Sequence, residues 1–164
     1  MFDKFGEFDS YEELNRAAAA QLYEGDHDAL FILAKENGID EFEVQDYIDG
    51  CMDQLVSPLM AAYGKLDVEA AELKPDEIMA DWLTYIRLQC SEKPEMALAV
   101  RRKGKSLKGC IAQLLAWSLK NAKPVDGDIL KACKITYRVT LGIPGMGTAK
   151  KLIRAYYLGE EAGC

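Results

Sequence analysis

The residues whose types invite chemistry are few and scattered. One histidine, His27, stands in the run Glu24-Gly25-Asp26-His27-Asp28, which offers oxygen and imidazole ligands to a divalent cation. The run lacks the ligand spacing and closing Glu of an EF-hand loop, and an acidic helix start explains it more simply. Five cysteines, Cys51, Cys90, Cys110, Cys133 and Cys164, form no CxxC pair and have no histidine beside them in sequence. Such an odd, dispersed set reads as reduced, mostly buried thiols of a cytosolic protein. Asp46 and Asp49 would share a helix face, where a solvated acidic surface is a plainer reading than acid–base work. The expectation is a protein that is not an enzyme and has no metal or cofactor.

A second stretch, Gly142-Ile143-Pro144-Gly145-Met146-Gly147-Thr148-Ala149-Lys150-Lys151, has the glycines of an anion-binding loop. It fails as a Walker loop, because Thr148 stands where the lysine belongs. As a dinucleotide fingerprint it lacks the third glycine. Pro144-Gly145-Met146-Gly147 instead resembles the hairpin of helix-hairpin-helix DNA-binding modules. That resemblance implies glycine amides at Gly145 and Gly147, around Met146, bound to a backbone phosphate. Lys150, Lys151 and Arg154 would add charge at the start of the next helix. Lys151 departs from the alanine usual at its place in that family, and a tight turn between packed helices is the structural alternative. Upstream, Asp128 to Thr136 looks like the front of a helix-turn-helix whose recognition helix would run through Tyr137, Arg138 and Thr140, with Lys134 in place of the usual turn glycine. Arg101, Arg102, Lys103, Lys105 and Lys108 form a further basic run, suited to phosphate contact or to a solvated loop.

These basic residues belong to a larger asymmetry. Residues 1–100 carry 23 Asp/Glu against 7 Lys/Arg, whereas residues 101–164 carry 4 against 13, so the overall −7 joins two opposite halves. Asymmetry of this kind suggests a partner that reads charge, either nucleic acid or a protein that handles it. Mutual neutralisation of the halves within one fold is the competing explanation.

The elements that must position these residues read as helices. Ser10 with Glu13 makes a capping box, Tyr11, Leu14, Ala18 and Leu22 form one face, and Gly25 stops the helix. Asp28 to Glu36 is a short second helix. A third opens at Asp40 with Glu43 in the box position and ends at Gly50. Ser57-Pro58 caps a helix reaching Leu73, and another follows Lys74-Pro75 with Asp76, Glu77 and Asp81 in its first turns. Pro94 begins a short helix ending in the basic run. Ser106 caps the most apolar helix, which Asn121-Ala122-Lys123-Pro124 ends. Thr136 to Leu141 alternates polar and apolar residues in the manner of a short strand. The 164 residues therefore suit one all-α domain of seven to nine helices, with room for one short strand, an acidic half (1–100) and a basic half (101–164). Met1-Phe2-Asp3-Lys4 does not start a signal peptide, and no apolar run approaches the ~20 residues of a membrane span, so a soluble cytoplasmic protein is expected.

Within the acidic half, Phe5-Gly6-Glu7-Phe8-Asp9-Ser10-Tyr11-Glu12-Glu13-Leu14-Asn15, then Gly25-Asp26, Ala29-Leu30, Glu36-Asn37-Gly38 and Tyr47-Ile48-Asp49, resemble a stretch of the ArdA-type antirestriction proteins. Those are acidic DNA mimics of conjugative elements that occupy the DNA groove of restriction enzymes. The resemblance implies a mobile-element protein facing a host defence nuclease, of antirestriction or anti-CRISPR type. Glu36, Asp40, Glu41, Glu43, Asp46 and Asp49 would then dock in a basic channel. The alternative is a nucleic-acid-binding accessory factor that grips phosphates through Gly145, Met146, Gly147, Lys150, Lys151 and Arg154, aided by Arg101, Arg102, Lys103 and Lys105.

Overall fold

Local capping chemistry sets most helix boundaries. The computed structural model describes residues 2–159. In α1 (Tyr11–Glu24), the Ser10 hydroxyl accepts the Glu13 amide, and Gly25, at φ +71°, closes the C-terminus. Asp26 caps α2 (His27–Glu36) by accepting from the Ala29 amide. In α3 (Glu41–Ile48) the box is reciprocal, with Asp40 accepting from the helix start and the Glu43 carboxylate accepting from the Asp40 amide. Ser57 and Pro58 open α4 (Pro58–Leu73). Then come α5 (Ile78–Glu92), α6 (Pro94–Arg101), α7 (Leu107–Lys120), α8 (Gly127–Ala132) and α9 (Met146–Leu158). The protein is all-α, with nine helices and one two-stranded ladder among the described residues.

The chain divides into two compact units, Met1–Lys108 and Gly109–Cys164. That boundary lies beyond the charge boundary at residue 100, so the basic run from Arg101 to Lys108 belongs to the first unit. Even so, this unit carries 23 Asp/Glu against 12 Lys/Arg.

In the first unit, α1, α2 and α3 enclose Leu14, Ala18, Leu30, Leu33, Val44 and Tyr47, with Leu55 and Val56 of the connection to α4 completing the cluster. Phe5, Phe8 and Tyr11 pack against its edge. The face of α3 opposite Val44 and Tyr47 is left to solvent. Helix α4 packs most extensively on α6, and its approach to the end of α2 is backbone on backbone. A Cβ at Gly64 would collide with the Asn37 carbonyl oxygen, and Gly38, at φ +68°, meets the Gly64 backbone. Only glycine allows this closeness.

In the second unit, β1 (Lys123–Pro124) pairs antiparallel with β2 (Thr140–Leu141), placing Lys123 opposite Leu141 and Pro124 opposite Thr140. The strand expected over Thr136 to Leu141 is thus confined to its last two residues. The helix-turn-helix reading is overturned. Lys134, at φ +57°, ends α8 in the left-handed conformation, the Ile135 amide donates back to the Leu130 carbonyl, and the next helix begins only at Met146. This closing pattern is a helix C-cap, and no recognition helix passes through Tyr137 to Thr140. Helix α9 buries Ala149, Ile153 and Tyr157.

Candidate functional site

Five of the six expected acidic residues gather on α3 and its caps. Asp40, Glu41, Asp46 and Asp49 are exposed, and Glu43 is half-buried. Their roles differ. Asp40 and Glu43 are engaged in the capping box, and Asp49 accepts a hydrogen bond from the Gln45 amide at 3.0 Å. Glu41 and Asp46 carry no ion pair among the described residues. At 1.5 Å rise per residue, Glu41, Asp46 and Asp49 place carboxylates every ~5–8 Å along the axis. Phe42, 83% exposed, lies one helical turn from Asp46 on the same face. The sixth residue, Glu36, stands apart. Its carboxylate accepts from the backbone amides of Lys4 and Phe5, at 2.6 and 3.1 Å, and so fastens the N-terminal segment.

Beside this face lies a cleft of about 430 Å³ lined by Gly38, Ile39, Asp40, Glu43, Met60, Tyr63, Gly64 and Asp67. It lies where the glycine contact brings α4 against the end of α2, and Asp40 and Glu43 at the start of α3 complete its wall. Arg87 pairs with Asp67 and lies over the Tyr63 ring, so Asp67 is compensated. Asp40 and Glu43 face the cleft without such a cation. The arrangement suits a positively charged side chain from outside, because carboxylates at the rim of a low-dielectric hollow attract more strongly than isolated surface charges.

The basic run is built differently from expectation. Arg101 is 1% exposed and its guanidinium donates to the Asn37 side-chain oxygen at 3.0 Å, so it is not available to a phosphate. It closes the last turn of α6 against the end of α2, and burial lowers its pKa against the opposing pull of Glu7, Glu69 and Glu13. Arg102, Lys103 and Lys108 are exposed, and Lys105 is half-buried. The loop they share hangs on Lys65. This residue is itself 1% exposed, and its ammonium donates to Glu7 at 2.6 Å and to the carbonyls of Arg102 and Lys105 at 2.7 and 2.6 Å. One turn along α4, Glu69 accepts the Leu107 amide at 2.9 Å and so anchors the start of α7. Burial lowers the Lys65 pKa against the opposing pull of Glu7, and burial raises that of Glu69 against the Leu107 hydrogen bond.

At the other candidate element, Pro144 is buried while Gly145, Met146, Gly147, Lys150 and Lys151 are exposed and Arg154 is half-buried. The start of α9 has no side-chain cap, and the space around Gly145 and Gly147 is open. The element preceding this turn is β2, where the hairpin resemblance implies a helix. His27 sits exposed at the start of α2, and among the described residues no group of three or more His, Cys, Asp or Glu is placed to hold a metal ion. Cys90 and Cys110 are buried and Cys51 and Cys133 exposed, while Cys164 lies outside the described residues. Burial pushes the Cys90 thiol up to about 12. No described helix is long and apolar enough to cross a membrane.

Sequence reasoning missed Glu7, Lys65, Glu69 and the cleft residues Tyr63 and Asp67. A signal for two of them existed. Lys65 and Glu69 share the side of α4 that buries Ala61, Ala62 and Leu66, so two charges stand on an apolar stripe. No family model, curated protein or solved structure matches this chain. The fold and the surface therefore define only a class: an all-α protein with an acidic α3 face bordering a cleft.

Proposed function

We propose that the protein is a non-enzymatic antagonist that docks its acidic α3 face into the basic nucleic-acid channel of a host defence nuclease. The observation that carries this reading is the surface of α3, where Glu41 and Asp46 stand exposed and without ion pairs beside a cleft walled by Asp40 and Glu43. Carboxylates repeated along a helix imitate a phosphate ladder, and they steer association with a groove that evolved to hold one. The resemblance of the N-terminal segment to antirestriction proteins supports the same class of partner.

The test is phage plating or transformation in a restricting host that expresses the protein. Asp46→Lys together with Asp49→Lys weakens protection by about tenfold or more, the equivalent of at least ~1.4 kcal/mol of binding. Unchanged protection in that double variant sinks the assignment.

A second reading rests on a separate observation, the exposed Gly145–Gly147 turn with Lys150 and Lys151 at the start of α9. If this element grips backbone phosphates, the protein binds a short DNA duplex at ~50 mM salt and releases it by ~200 mM. Lys150→Glu with Lys151→Glu then abolishes binding, while the α3 double variant leaves it intact.

A further inference from the structure

The second unit leaves apolar surface open. On α7, Leu115 and Leu119 lie one turn apart and are 56% and 74% exposed. Gly142 is pressed so closely on the end of that helix that a Cβ there would collide with the Ser118 carbonyl and the Ala122 backbone. Its two neighbours, Leu141 and Ile143, therefore have their backbone beside the last turns of α7, and each side chain is 62% exposed. Single exposed leucines are ordinary, but four large aliphatic side chains gathered on one helix end and the adjoining segment mark a docking surface.

The charges around this patch decide what fits it. Lys120 is exposed beside Leu119, and exposed Lys123 is the register partner of Leu141. Two such patches meeting face to face would bring lysines together, so pairing of the patch with itself is disfavoured. The complementary surface is acidic with an apolar projection, and the chain itself has one. Phe42 stands out from α3 among Asp40, Glu41, Asp46 and Asp49. A buried aromatic side chain whose surroundings exclude water is a common anchor of a binding interface.

We propose that the protein self-associates head to tail. The Phe42 face of one copy seats on the Leu115, Leu119, Leu141 and Ile143 patch of the next, with carboxylates around the phenyl ring facing the lysines around the patch. The contact joins two unlike faces, so it either closes on itself as a reciprocal pair or larger ring, or continues as an open chain. It does not require the nuclease reading, but it uses the same α3 face, so a copy seated on its neighbour cannot present that face to another partner.

The test is sedimentation velocity from ~5 to ~200 µM, at ~50 and ~500 mM salt, which spans strong and weak screening. The weight-average mass rises with concentration at low salt and falls back at high salt. Phe42→Glu and Leu119→Glu each leave the protein monomeric, because each removes one of the two faces. Both positions are mostly exposed, and unchanged circular dichroism confirms the fold. Phe42→Ala and Leu119→Ala repeat the test should either charged variant misfold. An equimolar mixture of the two blocked variants forms a 1:1 dimer and nothing larger, since one intact pair of faces remains. A monomer across the whole range at low salt overturns the proposal. So does self-association in either single variant, or a mixture that stays monomeric.

Discussion

The two units solve the problem of polar groups in opposite ways. In the first, charged side chains are drawn inside and tied down: Lys65 donates to Glu7 and two loop carbonyls, Glu69 holds the start of α7, and Arg101 is joined to Asn37. In the second, the stretch from Asn121 to Leu141 has no buried residue, and its ladder is two residues long. The contrast teaches where rigidity lies. Buried ties such as those of Lys65 and Glu69 fix a loop in one position, whereas Arg101 bonds through one guanidinium nitrogen and leaves Nε and Nη1 buried without partners. A segment with few buried contacts opens at low free-energy cost.

Removing the central tie of the first unit gives the largest effect. Lys65→Met takes the ammonium away from Glu7, which keeps only the Gly104 amide, and leaves the two loop carbonyls without their donor, a loss of about 3–5 kcal/mol in urea unfolding. Amide exchange over 102–107 rises with it. A loss below ~1 kcal/mol would show that the loop is held by something else.

Two glycine substitutions sharpen the comparison, because both positions are backbone-on-backbone contacts. Gly64→Ala forces a helix off the end of α2 and costs about 3 kcal/mol, while Gly142→Ala is relieved by a shift of the exposed segment and costs about 1 kcal/mol. Equal costs would mean that the second unit is as unyielding as the first.

The smallest effect is a pH dependence. Glu69 has a folded pKa above the ordinary 4.5, so the folded state binds more protons than the unfolded state above that pH. Its contribution to stability is present at low pH and is lost as pH rises from about 4.5 through the raised value. Glu69→Gln keeps an acceptor for the Leu107 amide and removes this loss. Its melting temperature therefore gains on the wild type as pH rises through that window. A constant difference across pH would exclude Glu69 as the titrating group.

Much of the helical order was legible because capping is local. Ser10 with Glu13, Asp40 with Glu43, and Ser57 with Pro58 act within four residues of one another, so type and spacing suffice. The exposed carboxylates of α3 were legible for the same reason, being the polar side of an amphipathic helix. Arg101 was not. Its place in a run of five basic residues suggests a surface, while its neighbours on α6, Ala97 and Val100, are core. Only the arrival of Asn37 from 64 positions away decides that its guanidinium turns inward. Thr136 to Leu141 misled in a similar way, since a strand needs a partner, and Lys123–Pro124 offers one for two residues only.

By itself the sequence determined the helical class, most helix ends, the uneven charge and the acidic face of α3. Each of these follows from interactions within a turn or two of chain. Tertiary structure alone decided that Lys65, Glu69 and Arg101 are interior, that the basic loop belongs to the acidic unit, and that a cleft opens beside Asp40. Those outcomes depend on which distant backbone comes close enough to bond or to exclude water, as Gly64 does against Asn37, and no local pattern encodes that distance.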